Sequence, residues 1–310
     1  NRKAKIRNLI QDIADDLIKT AAAREIKEGH EIVADGTYQE FIKRFPYVET
    51  DDQEKAIADV LADLARGHPM DWLICGDVGF GKTEIALRAA FVAASKGFQV
   101  AVLTPTTLLC RQHYETFQRR FAGFSFHIAM LSRFNKANEA TDIKRRTEEG
   151  KIDILIGTHA LLAESIRFKN LGLLIVDEEQ HFGVVQKEKI KKFQEDIHIL
   201  TLTATPIPRT LQMSMADIKQ MSLIATPPID RLPVKTFITP YDPIVLREAM
   251  LQEFYRGGQI FYVCPRIEDL QEVSEELAEL MPELKHIVIH GQMRTSELEK
   301  AMMAFYDRSY

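Results

Sequence analysis

"WLICGDVGFGKTEIALRAAFVAAS", residues 72–95, decides the fold. Trp72 to Cys75 are apolar without alternation, the pattern of a strand covered on both faces. From Lys82 onward the run is rich in alanine and other strong helix formers, and Gly97 supplies a stop signal. Between the two, "GDVGFGKT" at 76–83 fits the spacing G-x-x-x-x-G-K-[ST]. A strand, a glycine-rich turn and a helix in that order gather backbone N–H groups and a helix N-terminus around an anion, so the stretch predicts a nucleotide phosphate loop. Gly76, Gly79 and Gly81 belong to its turn, Lys82 would reach the β and γ phosphates, and Thr83 would hold Mg²⁺.

Working outward, short apolar runs alternate with helical patterns: "QVAVLT" at 99–104, "FHIAML" at 126–131, "DILIG" at 153–157, "LGLLIVD" at 171–177 and "IHILTLT" at 197–203. This rhythm predicts a doubly wound parallel α/β sheet. The run at 171–177 ends in "DEEQ", which supplies the second half of a nucleotide site: Asp177 for the Mg²⁺ shell and Glu178 to orient or deprotonate the attacking water. Paired acids after a strand also occur as charge clusters at helix starts, favoured by the dipole. Beside a phosphate loop the catalytic reading is the one we carry.

After Pro227 and Pro228 the rhythm restarts with "VKTFIT", "GQIFYVC" and "HIVIH", separated by helical stretches at 243–256, 269–281 and 296–306. The expected organisation is a first α/β domain over 30–230, a linker near 225–233 and an incomplete second α/β unit over 231–310. Ahead of them, Ile6, Ile10, Ile13 and Leu17 share one face of an amphipathic helix expected over 1–29.

With 45% apolar residues in 310, the chain can bury a sizeable core. Its net charge of −5 requires any nucleic-acid contact to come from a local face. Cys75, Cys110 and Cys264 show no metal-ligand or redox spacing and read as small buried hydrophobes. No apolar run reaches membrane-span length, and a cytoplasmic location without a membrane partner is expected.

The ordered blocks resemble a known family, the superfamily-two helicases and translocases, over residues 45–305. "DEEQ" is similar to their motif II, "PTTLL" at 105–109 to motif Ia, and "GTHALL" at 157–162 to motif Ib. "TATPIPRTL" at 203–211 resembles an extended motif III shared by RecG helicases and the bacterial transcription-repair coupling factors, and "HGQM" at 290–293 a second-domain block of the same two. "FPYVETDDQ" at 45–53 resembles their adenine-recognition segment. "CGDVGFGKTEIALRAAF", "PTTLLCRQHYETF" and "GLLIVDEEQHFGV" favour the coupling-factor branch.

The resemblance implies RecA-like domains, ATP with Mg²⁺, and translocation on double-stranded DNA. In the full-length protein it implies action on stalled RNA polymerase and contact with repair proteins. It also implies that Gln53 reads the adenine edge with Phe45 or Tyr47 stacked on the base, and that Gln180, Thr203 and Thr205 couple the nucleotide site to the DNA side. Each has a structural alternative: an exposed helix residue for Gln53, strand-end hydroxyls for the threonines, a core aromatic for Phe45.

For DNA, Thr106, Thr107, Arg111, Thr158 and His159 are the candidates, since short hydroxyls and backbone N–H groups hold phosphates without reading bases. The basic clusters Lys144, Arg145, Arg146 and Lys187, Lys189, Lys191, Lys192 alternate with acids and read as solvated helix faces. Such motors complete their site with a second-domain block resembling Q-x-x-G-R-x-G-R, and no glycine follows Gly291 in this chain. Weak turnover by this chain alone is therefore expected. The competing readings are a RecG-like fork-remodelling helicase and a nucleotide-binding interaction module that does no chemistry.

Overall fold

The structure is a computed structural model and describes residues 22–24, 26–193, 196–205, 220–229, 231–232 and 234–310. The helix expected over 1–29 falls almost wholly outside them, as does "TATPIPRTL" beyond Thr205. The chain divides into two compact units, Asn1–Arg231 and Leu232–Tyr310.

In the first unit, helices α1 (Gly36–Lys43) and α2 (Asp51–Leu64) lie ahead of the sheet in the chain. Then follow β1 (Asp71–Gly76), α3 (Lys82–Ser95), β2 (Gln99–Leu103), α4 (Thr107–Arg120), β3 (Ile128–Leu131), α5 (Ala137–Glu148) and β4 (Ile154–Gly157). After a short 3₁₀ turn come β5 (Leu171–Asp177), α6 (Val184–Phe193), β6 (His198–Thr203) and β7 (Gln220–Ile224). All seven strands are parallel, in the order β3-β4-β2-β5-β6-β1-β7. The doubly wound α/β reading is what forms.

The absence of polar alternation has its reason in the two cores. Val100, Val102, Ile154, Ile156, Leu173 and Ile175 face one core, which α1 to α4 cover with Phe41, Val60, Phe91 and Phe117. Ala101, Leu103, Leu155, Leu174 and Val176 face the other, covered by Ile143 of α5 and Ile190 of α6. Successive strand side chains point to opposite faces, so a strand between two helical layers must be apolar throughout.

The helix ends are set locally. Thr50 and Gln53 form a reciprocal capping box that starts α2, with bonds of 3.3 and 3.1 Å. At the far end of α3, Gly97 sits at φ 80° while the amides of Phe98 and Gly97 return to the carbonyls of Ala93 and Ala94. That paired return closes the helix where the sequence placed its stop.

The second unit contains α7 (Pro243–Tyr255), α8 (Leu270–Leu280) and α9 (Thr295–Tyr306), where helices were expected. The stretches expected as strands carry no regular secondary structure, and no ladder hydrogen bond joins them among the described residues. Phe237, Ile238, Phe261 and Val263 stand exposed. Helix hydrogen bonds are local and close within each segment, whereas a parallel ladder needs neighbours at strand spacing and cover on both faces.

Candidate functional site

The phosphate loop joins β1 to α3, and its two inner glycines carry its shape. Gly79 and Gly81 have φ of 80° and 82°, in the left-handed region that a side chain disfavours. Gly81 is also the N-cap of α3 and offers no side-chain cap, so the first amides of that helix remain turned outward for an anion. Gly76 serves packing instead: a Cβ there would come within 3.1 Å of Ile224 on β7. Lys82 is buried and donates to the carbonyls of Gly76 (2.7 Å) and Asp77 (3.0 Å). Burial holds its ammonium below the ordinary lysine value, opposed by Glu178, Asp177 and Asp77, so the two motif II carboxylates lie within its field.

Asp177 is the buried last residue of β5. One of its oxygens, Oδ2, meets Nε2 of His113 on α4 at 2.7 Å. Glu178 follows with φ 51° and ψ 53°, a left-handed backbone rare for a non-glycine residue. Such a conformation costs on the order of 1–3 kcal/mol and persists only where surroundings over-determine it. Here the Glu178 amide donates to Leu202 O (2.9 Å), and the carboxylate accepts from the amide of Ala204 (3.1 Å) and from Gln180 Nε2. Thr203 Oγ1 donates to Gln180 Oε1 (3.3 Å) and accepts from the Thr205 amide (3.1 Å). Glu178, Gln180, Thr203 and Thr205 thus form one continuous chain across the ends of β5 and β6.

Phe45, Tyr47, Gln53, Gly79, Gly81 and Thr83 line a cavity of about 790 Å³, a size suited to a small cofactor. Gln53 is buried, and its amide donates to Phe80 O at 2.8 Å while Oε1 accepts from Thr50, so it ties the aromatic segment to the phosphate loop. Phe45 meets Tyr47 edge-on at 5.5 Å, and the guanidinium carbons of Arg88 and Arg120 lie 5.5 and 5.6 Å from its ring centre.

Those arginines belong to a buried ion network that sequence reading missed. Glu84 of α3 binds Arg88 (2.9 Å) and Arg120 (2.6 Å), and Arg88 also binds Glu49. Burial alone would raise the Glu49 carboxyl, but its hydrogen bond with Arg88 brings it below the ordinary value. A second unread residue is Arg231, stacked 4.7 Å over Phe80 with its guanidinium near Asp77 at 3.4 Å. Neither had a local signal, because the partners come from distant segments.

The DNA candidates gather at the ends of β2 and β4, which are neighbours in the sheet. The amide of Thr104 donates to Gly157 O (2.9 Å), bringing the two loops together. Thr106 is exposed and caps α4 through the Leu109 amide (3.2 Å), and His159 is exposed. Thr107 and Thr158 are buried, so their side chains are not on the surface the sequence expected them to present. Arg111 pairs with Glu115 at 2.9 Å. In the basic clusters, Arg145 is engaged by Asp142 and Glu149 on its own exposed face. Cys75 and Cys110 are buried and Cys264 half-buried, all three free; burial pushes the Cys110 thiol up to about 12. No helix among the described residues is long and apolar enough to cross a membrane.

Residues 50–214 match the family model described as DEAD/DEAH box helicase. The chain is 52% identical to the transcription-repair-coupling factor of Escherichia coli (strain K12) over 97% of its own length and 26% of that protein. It is 50% identical to the factor of Myxococcus xanthus over 99% and 26% respectively. The chain thus spans about a quarter of the length of these curated relatives. A solved structure of RecG bound to a three-way DNA junction superposes with a TM-score of 0.76 at 32% identity, covering 94% of this chain and 40% of that one.

Proposed function

This chain belongs to the DEAD/DEAH box helicase family, and from that premise we propose that it is the ATP-binding motor module of a double-stranded-DNA translocase of the transcription-repair-coupling kind. Residues 30–230 are then the first RecA-like helicase domain and 231–310 part of the second. Action on stalled RNA polymerase and contact with repair proteins belong to the full-length protein. The observation that carries the reading is the convergence of Lys82 with Asp177 and Glu178 at the ends of β1 and β5, on one rim of the parallel sheet.

The residues present fit ATP and Mg²⁺. An uncapped helix N-terminus, two left-handed glycines and a buried lysine make an anion cradle, and a buried aspartate lies within that lysine's field. Thr83 and Asp177 would hold the metal, which neutralises charge on the phosphates when bound. Phe45, Tyr47 and Gln53 would hold the base. Glu178, aimed by Ala204 and Gln180, would take a proton from the attacking water. Gln180, Thr203 and Thr205 would carry the state of that carboxylate toward the DNA side. Thr106, Arg111 and His159 would touch the backbone of DNA directly, while buried Thr107 and Thr158 would shape their loops. Backbone contact without base reading suits a motor that must step over any sequence.

A RecG-like fork-remodelling reading is supported by the RecG superposition, and the higher identity to the coupling factors favours the first. Equilibrium binding of Mg-ATP and steady-state hydrolysis, with and without duplex DNA, test the proposal beside Glu178→Gln. Both proteins are expected to bind Mg-ATP, with weak turnover in the parent. An inability of the parent to bind Mg-ATP would overturn the motor reading. DNA-stimulated turnover that survives Glu178→Gln would remove Glu178 from the chemistry.

A further inference from the structure

Resting on the nucleotide reading above, we infer that His113 is a positioning residue for Asp177, holding one carboxylate oxygen so that the other is the one offered to the metal. The two residues are 64 positions apart in the chain and meet inside the fold, Nε2 to Oδ2 at 2.7 Å. Both are buried, so the contact is not a surface pair that water would replace. An ionised carboxylate only accepts, which requires the proton of this bond to sit on Nε2. Among the described residues Nδ1 has no hydrogen-bond partner. The ring's one polar contact among them is Asp177.

The imidazole is held in place by its own helix. Phe117, one turn further along α4, packs edge-on to it with centroids 6.4 Å apart. Phe117 is fully buried and anchors that turn in the core. Asp177 itself emerges from β5, whose backbone is fixed by ladders to β2 and β6. The remaining freedom of the carboxylate is rotation about its side-chain bonds, and the bond from His113 removes it. A partner that orients a metal-binding carboxylate typically changes metal affinity by about 10- to 100-fold.

The readout is the gain in affinity for a fluorescent ATP analogue as Mg²⁺ is titrated from an EDTA baseline, measured on the whole chain. His113→Phe keeps an aromatic ring and removes the donor; His113→Gln returns an N–H near the position of Nε2. The expected result for His113→Phe is a Mg²⁺ midpoint raised about 10- to 100-fold, with EDTA-state affinity within about 2-fold of the parent. His113→Gln should restore most of the midpoint. Should His113→Phe fail to fold, judged by Trp72 fluorescence, His113→Met against His113→Gln carries the same comparison. An unchanged midpoint, or an equal loss in EDTA and Mg²⁺, overturns the positioning role while leaving the nucleotide site intact. A parent that binds no nucleotide overturns both.

Discussion

Acidification should unlock the first unit through His198, and the size of the effect follows from its surroundings. This ring is fully buried at the start of β6, where Nδ1 accepts from the Met70 amide at 3.1 Å and Nε2 reaches His30 O at 2.8 Å. An amide donating to Nδ1 forbids a proton there, so the native ring is the neutral tautomer with its hydrogen on Nε2. Burial lowers its pKa to about 4 from 6.5, the His30 hydrogen bond opposing. The native state therefore binds fewer protons than the unfolded chain between those values, and stability rises with pH across that window. The contribution is fully present above 6.5 and is lost as pH falls toward 4. The loss amounts to about 3 kcal/mol when complete and to about 2 kcal/mol by pH 5.

The assay is urea unfolding at pH 7.5 and pH 5.0, followed through Trp72, the single tryptophan. It reports the right place, because Trp72 pairs with Leu200 two residues along β6 from His198. His198→Gln, whose amide can both accept from Met70 and donate to His30, should lose about 2 kcal/mol less than the parent between the two pH values. Identical pH dependence in the two proteins would refute the account.

Two further predictions concern the nucleotide cavity. Gly81→Ala places a side chain at φ 82° with its Cβ driven into the Gln53 amide, so urea unfolding should show a loss of at least about 1–2 kcal/mol; an unchanged midpoint would mean that the loop relaxes freely. Arg88→Met leaves Glu49 without its cation while Glu84 keeps Arg120, so the cost should fall near the lower end of about 3–5 kcal/mol, with weakened nucleotide binding because Phe45 loses one of its two guanidinium neighbours. A stability change below about 1 kcal/mol would show that the network contributes packing alone.

What the sequence could show was local. β1 to β6 and α3 stand where apolar runs and helix formers placed them, and the glycine-rich octet forms the turn between β1 and α3. β7 was not, because "QMSLI" mixes polar and apolar residues; it is an edge strand whose register with β1 is made possible by the bare Cα of Gly76. The apolar stretches of the second unit carry strand composition without a ladder, since composition fixes neither partner nor register. Within the site, Gln53 illustrates the limit. Its place beside the aromatics was legible, but its bond to Phe80 depends on a loop 27 residues away. Glu84, Arg88 and Arg120 are ordinary helix charges until folding sets them against Glu49, and His113 is one histidine among nine until β5 arrives beside it.

Because every strand runs the same way, the phosphate loop after β1 and the Thr158 loop after β4 open on one rim, four strand positions apart. At the usual strand spacing that is about 19 Å, farther than any side chain spans. The sheet acts as a fixed ruler between the place where a phosphate would be cut and the place where a strand of nucleic acid would be held. Neither end can feel the other by touch, so whatever passes between them must travel as a shift of the pieces lying across the rim, chiefly α4 and the turn carrying Glu178 and Gln180.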